Sequence, residues 1–418
     1  MSSKIGDQAA RDVVSVLPNR ATDLARLQTL ADEGEPVVTV IGKYNHGKSR
    51  LLNELIGQDT FAVADRRETV KLSDSVHFGV RWLDAPGLDA DVGTADDQQA
   101  LLAAWLKSDV RLFVHAAKEG ELDAKELALL AELIRDGART QRQTLFVLSQ
   151  VDQLPDDLEL EKVSDAIGGQ AREMMLHAVS ATRHRKGLEG DKKLLTQKSG
   201  IPALRAALDT AIARVPSARA HETALLFGEV REELQRLRAK HERVLETLSE
   251  TQHRQRQDFD RGLSAVIDKV GIDIEAMLNA LGADNAVIPD SAKDAYAITA
   301  GKVERAHIQI AYSRACIEID SFLAGQGVIG IPTEQQTVAR SLNTVMVAVM
   351  GVSVKFRKDL RRMFGEASGK ERIQREFLHY YELSADRKAL EKLIVSAGAT
   401  LADCDRALAA LEMLEAGR

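Results

Sequence analysis

Residues 37–55, VVTVIGKYNHGKSRLLNEL, limit what this chain can fold into more than any other stretch. A β-branched run leads into Gly42-Lys43-Tyr44-Asn45-His46-Gly47-Lys48-Ser49, and an apolar-periodic segment follows. The eight residues fit G-x-x-x-x-G-K-[ST], and a strand before them with a helix after them is the setting that gives this pattern meaning. The backbone N–H groups of such a loop form a nest for phosphate oxygens, and the helix N-terminus adds partial positive charge. Lys48 is then the side chain that reaches the β- and γ-phosphates, and Ser49 the hydroxyl that ligates Mg2+.

The surroundings extend the pattern. From residue 36 to about 215, short apolar strands alternate with amphipathic helices, which predicts a mostly parallel sheet with helices on both faces. The strand candidates are PVVTVIG, VHFGVRWLDA, DVRLFVHAA, QTLFVLSQ and MLHAVSA; the helices include Lys48–Ile56, Ala95–Lys107, Asp123–Arg135 and Ile201–Arg214. Residues 1–35 read as helical with a break near Pro18. From residue 216 to 418 strand signals nearly vanish. Leu226, Val230, Leu234, Leu237, Val244 and Leu248 follow a helical period, and similar patterns cover Phe259–Leu281, Ser291–Phe322 and Phe377–Leu414. The chain therefore reads as an N-terminal helical segment (1–35) packing with the helical domain, an α/β domain (36–215) and an all-α bundle or stalk (216–418). The polar segment SETQHRQRQ, after Leu248, predicts an exposed tip, hinge or partner-binding end.

Composition narrows the classes. Of 418 residues, 44% are apolar, enough to bury real cores, and the net charge of −7 argues against a dedicated nucleic-acid binder; no DNA partner is expected. Two cysteines, Cys316 and Cys404, suit a reducing compartment. No secretory pattern opens the sequence and no run of about 18 apolar residues occurs, so a cytoplasmic location is expected. The ten histidines show no H-x-x-H spacing, and no structural zinc site is expected.

Two further elements bear on a nucleotide. In RWLDAPGLDAD, Asp84 ends an apolar strand, where a carboxylate can hold Mg2+ through a water, and the Gly87 N–H can meet a γ-phosphate. Upstream, Thr69 in DRRETV lies in a loop from which its hydroxyl could close on the metal only when the third phosphate is present; it reads otherwise as an ordinary loop threonine, and Thr60 is the weaker candidate. After TLFVL, Asp152 offers a carboxylate to the N1–H and 2-amino donors of guanine, a pair adenine lacks. Ser180-Ala181 could give a backbone N–H to the guanine oxygen.

In this order the pieces resemble the translation-factor-related P-loop GTPases, over roughly residues 37–182. The resemblance implies GTP and GDP as ligands with Mg2+, held by Gly42, Asn45, His46, Gly47, Lys48, Ser49, Arg50, Asp84, Gly87, Gln150, Asp152, Ser180 and Ala181. It sets the metal at Ser49, Thr69 and Asp84, and catalysis at Lys48, Thr69 and Asn45. The departure is at Ser149-Gln150, where the family carries Asn-Lys. Leu88 follows Gly87 where Ras-like enzymes place a water-orienting glutamine, so hydrolysis would need outside help. Asn45 resembles the Era and TrmE branch, where it accompanies a K+ ion at the phosphates; it reads equally as a turn stabiliser.

An Era-like domain followed by about 200 helical residues resembles bacterial dynamin-like proteins of the LeoA type. That implies a stalk coupled to nucleotide state, a homodimer through the GTPase domain or a partner dynamin-like protein, and peripheral contact with the inner face of a membrane. VMVAVMGVSV (345–354) followed by the basic run KFRKDLRRMF fits either a lipid-facing segment or a buried bundle helix with a solvated basic end, and the second reading is preferred. The alternative overall is an Era-like regulatory switch with little intrinsic hydrolysis, acting through a protein or ribosome partner.

Overall fold

In the computed structural model the described residues are 2–32, 34–62, 73–85, 103–172 and 174–417. They form two compact units, Met1–Gln235 with Arg406–Arg418, and Arg236–Asp405.

The first unit is built on a six-stranded sheet. Its strands are β1 (Val37–Ile41), β2 (Ser73–His77), β3 (Val80–Asp84), β4 (Val110–Ala116), β5 (Gln143–Ser149) and β6 (Leu176–Ala178), in the order β2-β3-β1-β4-β5-β6. Only β2 runs antiparallel. The interior strands are covered on both faces, and β4 is buried along its whole length although it carries Arg111 and His115. Strand alternation sorts the two cores. Val110, Leu112 and Val114 of β4 pack with helix 48–56 and helix 201–213. Phe113 packs on the other face with helix 124–140 and helix 157–170. The expected mostly parallel α/β architecture with helices on both faces is thus present, followed by a large helical region. Arg111 and His115 flank Phe113 on the same side, so both meet helix 124–140, at Asp136 and Glu126. Two helices, Ser2–Val16 and Ala21–Ala31, precede the sheet, separated by a turn at Pro18–Arg20.

VHFGVRWLDA is a hairpin rather than one strand. Phe78 (φ 53°) and Gly79 (φ 74°) both take the left-handed backbone that a two-residue turn requires. The expected helix Ala95–Lys107 is described only at 103–107, as a single wide turn.

The second unit is helical. Its core is lined by Phe259, Leu263, Ile267, Val270, Ile274 and Leu278, spaced by fours and a three. Tyr381 stacks on Phe259 with ring centroids 4.0 Å apart. The sequence pattern suggested two helices before residue 281; the structure has one, Val215–Ala280. No Gly or Pro occurs between Gly228 and Gly262, so nothing breaks it, and the polar 249–257 segment is mid-helix rather than a tip. The helix expected from Ser291 starts instead at Ala300, where the Thr299 side chain accepts from the Lys302 N–H. The expected Phe377–Leu414 helix is divided at Ser384 into Ala367–Leu383 and Ala385–Ala416.

Val345, Met346, Val349 and Met350, on helix Leu342–Met350, and Val354 beyond its end are buried in this core, whereas Val347 and Val352 are exposed, so the buried bundle helix covers only part of 345–354. Arg357 is not part of a solvated basic end. It is buried, its Nε paired with Glu304 and its Nη1 and Nη2 donating to Gly282 O and Ala283 O. Lys355, Lys358, Arg361 and Arg362 are exposed. Arg357→Gln should therefore destabilise the chain by about 2 kcal/mol by leaving Glu304 without its cation, with the Asn285 N–H as its remaining partner. Arg362→Gln should change stability by less than about 0.5 kcal/mol. Urea unfolding of the two variants makes the comparison, and equal midpoints would contradict it.

Candidate functional site

The loop 42–47 leaves the end of β1 and enters helix Lys48–Ile56. The two glycines are dictated by geometry. A Cβ on Gly42 would stand 2.1 Å from Val114 O, and Gly47 caps the helix at φ 78°.

Lys48 is buried, and its Nζ donates to Gly42 O (3.0 Å) and Lys43 O (2.9 Å), so it lies within the curve of the loop. Burial pushes its ammonium down to about 8, against the pull of the Asp84 carboxylate. Ser49 Oγ donates to Asp84 Oδ2 at 2.5 Å. Asp84 sits at the end of β3, next to β1 in the sheet, which is how residues 35 apart meet. Its Oδ1 is buried with no partner among the described residues. Burial raises the Asp84 carboxyl, opposed by Ser49 and Lys48. A hydroxyl beside a carboxylate with one free, desolvated oxygen is an oxygen donor set suited to a hard divalent cation.

At β5 the departure from Asn-Lys has a structural counterpart. Ser149 Oγ donates to His46 O at 2.6 Å, and Gln150 Nε2 donates to Asn45 O at 2.6 Å. Both bonds tie the end of β5 to the phosphate loop. Gln150 reaches the loop from a left-handed backbone (φ 58°), and its Oε1 is buried and unpartnered among the described residues. Asp152 is exposed, with Oδ1 accepting from Ser180 Oγ at 2.6 Å. Ser180 also caps helix Ala181–Glu189 by accepting from the Arg183 N–H, which places Ala181 in the first turn of that helix.

Asn45 is exposed with φ 61°. Arg50 is exposed and contacts Thr182 Oγ1 at 3.5 Å. His46 is buried, its Nδ1 3.3 Å from Val114 O, and burial pushes its ring down to about 4, so it is neutral. Thr60 contacts His77 on β2. Thr69, Gly87 and Leu88 lie outside the described residues.

Sequence reasoning missed the groups beneath the loop. Lys43 Nζ reaches Asp123 (2.7 Å) and Glu126 (3.0 Å) at the start of helix 124–140. Asp123-x-x-Glu126 was legible as a capping box, which the structure contains. Nothing in the pattern linked it to a loop 80 residues earlier.

Fold and loop together define a P-loop GTPase domain: residues 37–150 match the family model described as "50S ribosome-binding GTPase". An uncharacterized protein of Acinetobacter baylyi is 49% identical over 416 residues, 99% of each chain, and this chain belongs to the same family. GTPase Der of Streptococcus mutans is 29% identical over 126 residues, 28% of this chain and 27% of that protein. The chain thus spans about a quarter of Der. Among solved structures, Aquifex aeolicus Era bound to GDP and AlF4- is similar at 22% identity, over 38% of this chain and 56% of that one, with a TM-score of 0.30. Arabidopsis thaliana Toc33 with GDP and Mg2+ is similar at 20% identity, over 47% and 92%, with a TM-score of 0.33.

Proposed function

We propose that the chain binds GTP and GDP with Mg2+ and hydrolyses GTP to GDP and phosphate. The observation that carries this is the meeting of Ser49 Oγ with Asp84 Oδ2, next to Lys48 inside a phosphate loop. Ser49 and the free Asp84 oxygen would hold the metal, which when bound neutralises charge on the β- and γ-phosphates. Lys48 supplies a fixed positive charge at the same oxygens. Asp152 takes the two guanine donors, with Ser180 bonded to one of its oxygens and leaving the other free, and the Ala181 N–H is offered to the guanine oxygen. Ser149 and Gln150 replace the loop tether that the family builds with asparagine.

Thr69 would close on the metal when the γ-phosphate is present, and the Gly87 N–H would meet that phosphate. Leu88 cannot orient water, so hydrolysis draws on a K+ ion at Asn45, a switch-loop group or a second copy of the domain. The output is a change of conformation or assembly in the helical region, in the manner of a dynamin-like protein in the cytoplasm. Peripheral membrane contact at the inner face would use the exposed Lys355, Lys358, Arg361 and Arg362. The second reading, a regulatory switch with a protein or ribosome partner, is favoured by the likeness of residues 37–150 to the ribosome-binding GTPases.

Phosphate release tests the proposal. GTP with Mg2+ should be turned over, ATP should compete poorly, and the specific rate should rise with K+ or with protein concentration. ATP competing as well as GTP would refute the base assignment. A rate indifferent to dilution and to Na+ in place of K+ would remove both sources of catalytic help.

A further inference from the structure

We propose that Glu126 is a positioning residue for the phosphate loop, holding it through charge rather than by touching nucleotide; the inference rests on the nucleotide reading above. Glu126 is buried at the third position of helix 124–140. Its Oε2 lies 3.0 Å from Nζ of Lys43, the second residue of the loop. Its Oε1 lies 2.9 Å from Nδ1 of His115, at the end of β4. The other ring nitrogen of His115 is 3.0 Å from Gly120 O. Both ring nitrogens of His115 are thus engaged, one by the Glu126 carboxylate and one by a backbone carbonyl. One buried carboxylate joins the His115 ring at the end of β4 to the Lys43 ammonium in the loop.

The remaining neighbours fit this charge. The His46 ring meets His115 edge-on, centroids 5.2 Å apart, and its Nδ1 is 3.9 Å from Glu126 Oε1; it is neutral and adds no competing charge. Asp123, on Glu126's own helix, shares Lys43. Burial alone would raise the Glu126 carboxyl, but His115 and Lys43 hold it below the usual range. His46, His115 and Glu126 bring their ligand atoms within 4.8 Å of one another, as a metal centre would. The His115 nitrogens and the carboxylate are already engaged, however, and the Lys43 ammonium beside the carboxylate repels a cation.

The arrangement also directs Lys43. Its backbone carbonyl accepts from Lys48 Nζ while its side chain is held by Asp123 and Glu126. The clamp therefore fixes the loop carbonyl that orients Lys48.

Glu126→Gln separates this role from helix capping, because glutamine serves a capping box as well as glutamate and keeps the volume. Release of N-methylanthraniloyl-GDP from the full chain, chased with unlabelled GDP, is the readout. Glu126→Gln should release the probe about tenfold faster than wild type, as loss of a charge-assisted bond implies. Lys43→Met should accelerate release similarly, and the double variant should be no faster than either single one. A wild-type release rate in Glu126→Gln, or full additivity of the two substitutions, would overturn the proposal. Should Glu126→Gln fail to fold, Lys43→Met decides alone, since Lys43 is partly exposed and Glu126 keeps its bonds to His115 and the Asp123 N–H; unchanged release in that variant overturns the clamp. Failure of the wild-type chain to bind the probe would instead refute the nucleotide reading.

Discussion

Lys48→Ala is expected to abolish GTP and GDP binding, with a loss of at least about a hundredfold in affinity. Truncating one partner of a desolvated charge pair costs about 2–5 kcal/mol, and each 1.4 kcal/mol is tenfold. No other loop cation is placed to substitute, because Lys43 is bonded to Asp123 and Glu126. The lowered Lys48 pKa gives the site a pH signature. Between about 8 and the ordinary 10.5 the unfolded chain binds the proton and the folded chain does not, so this group makes folding more favourable as pH rises through that window. Nucleotide phosphates favour the charged form and raise the pKa again. Binding should then take up a proton near pH 8 and weaken as pH rises above it. Calorimetry in buffers of different ionisation enthalpy measures this uptake. Equal affinity in Lys48→Ala and wild type would refute the site.

Glu222→Ala is expected to cost about 3–5 kcal/mol of stability, a large part of the roughly 5–15 kcal/mol typical of a folded domain. Glu222, on the helix 215–280, is 1% exposed. It accepts from Arg26 Nε (3.1 Å) and Nη2 (2.8 Å), and lies 3.4 Å from Arg142 Nε. Arg26 also meets Asp109, and Arg142 meets Asp136. Arg111, fully buried, shares Asp136, and burial with Arg142 nearby pushes its guanidinium down to about 10. Removing Glu222 leaves Arg26 and Arg142 desolvated with one carboxylate partner each. Glu222→Leu should do no better, since the arginines remain. Asp109 bonds Val37 at the start of β1, the opposite end of that strand from the phosphate loop. Nucleotide affinity should therefore hold while the urea midpoint falls. A midpoint within error of wild type would show that solvent relieves the arginines.

The contrast between these sites shows what a sequence can carry. The phosphate loop, the strand before it, the helix after it and Asp84 at the end of a further strand follow from local pattern. Strand and helix periods are set by neighbours two to four residues away, and a G-x-x-x-x-G-K-S turn has few ways to fold. Parallel α/β layering follows from the alternation of such elements, and the helical region from its 3.6-residue period.

What pattern could not decide was which distant side chains meet. Ser149 reads as a departure from a motif, yet its hydroxyl bonds a loop carbonyl 103 residues away. Arg357 reads as one of a basic cluster, yet its pairing with Glu304 withdraws it from solvent. Glu126 reads as a helix cap, yet β4 brings His115 to one of its oxygens and the loop brings Lys43 to the other. Such meetings depend on strand register and helix rotation, where a shift of one residue turns a side chain to the opposite face. The sequence by itself determined the phosphate loop, the alternation of strands and helices and the helical character of the rest, because these are fixed by short-range backbone geometry, while several element ends were not. Tertiary structure alone decided the tether, the clamp and the buried charges, because those bonds form only after packing has set the register between elements.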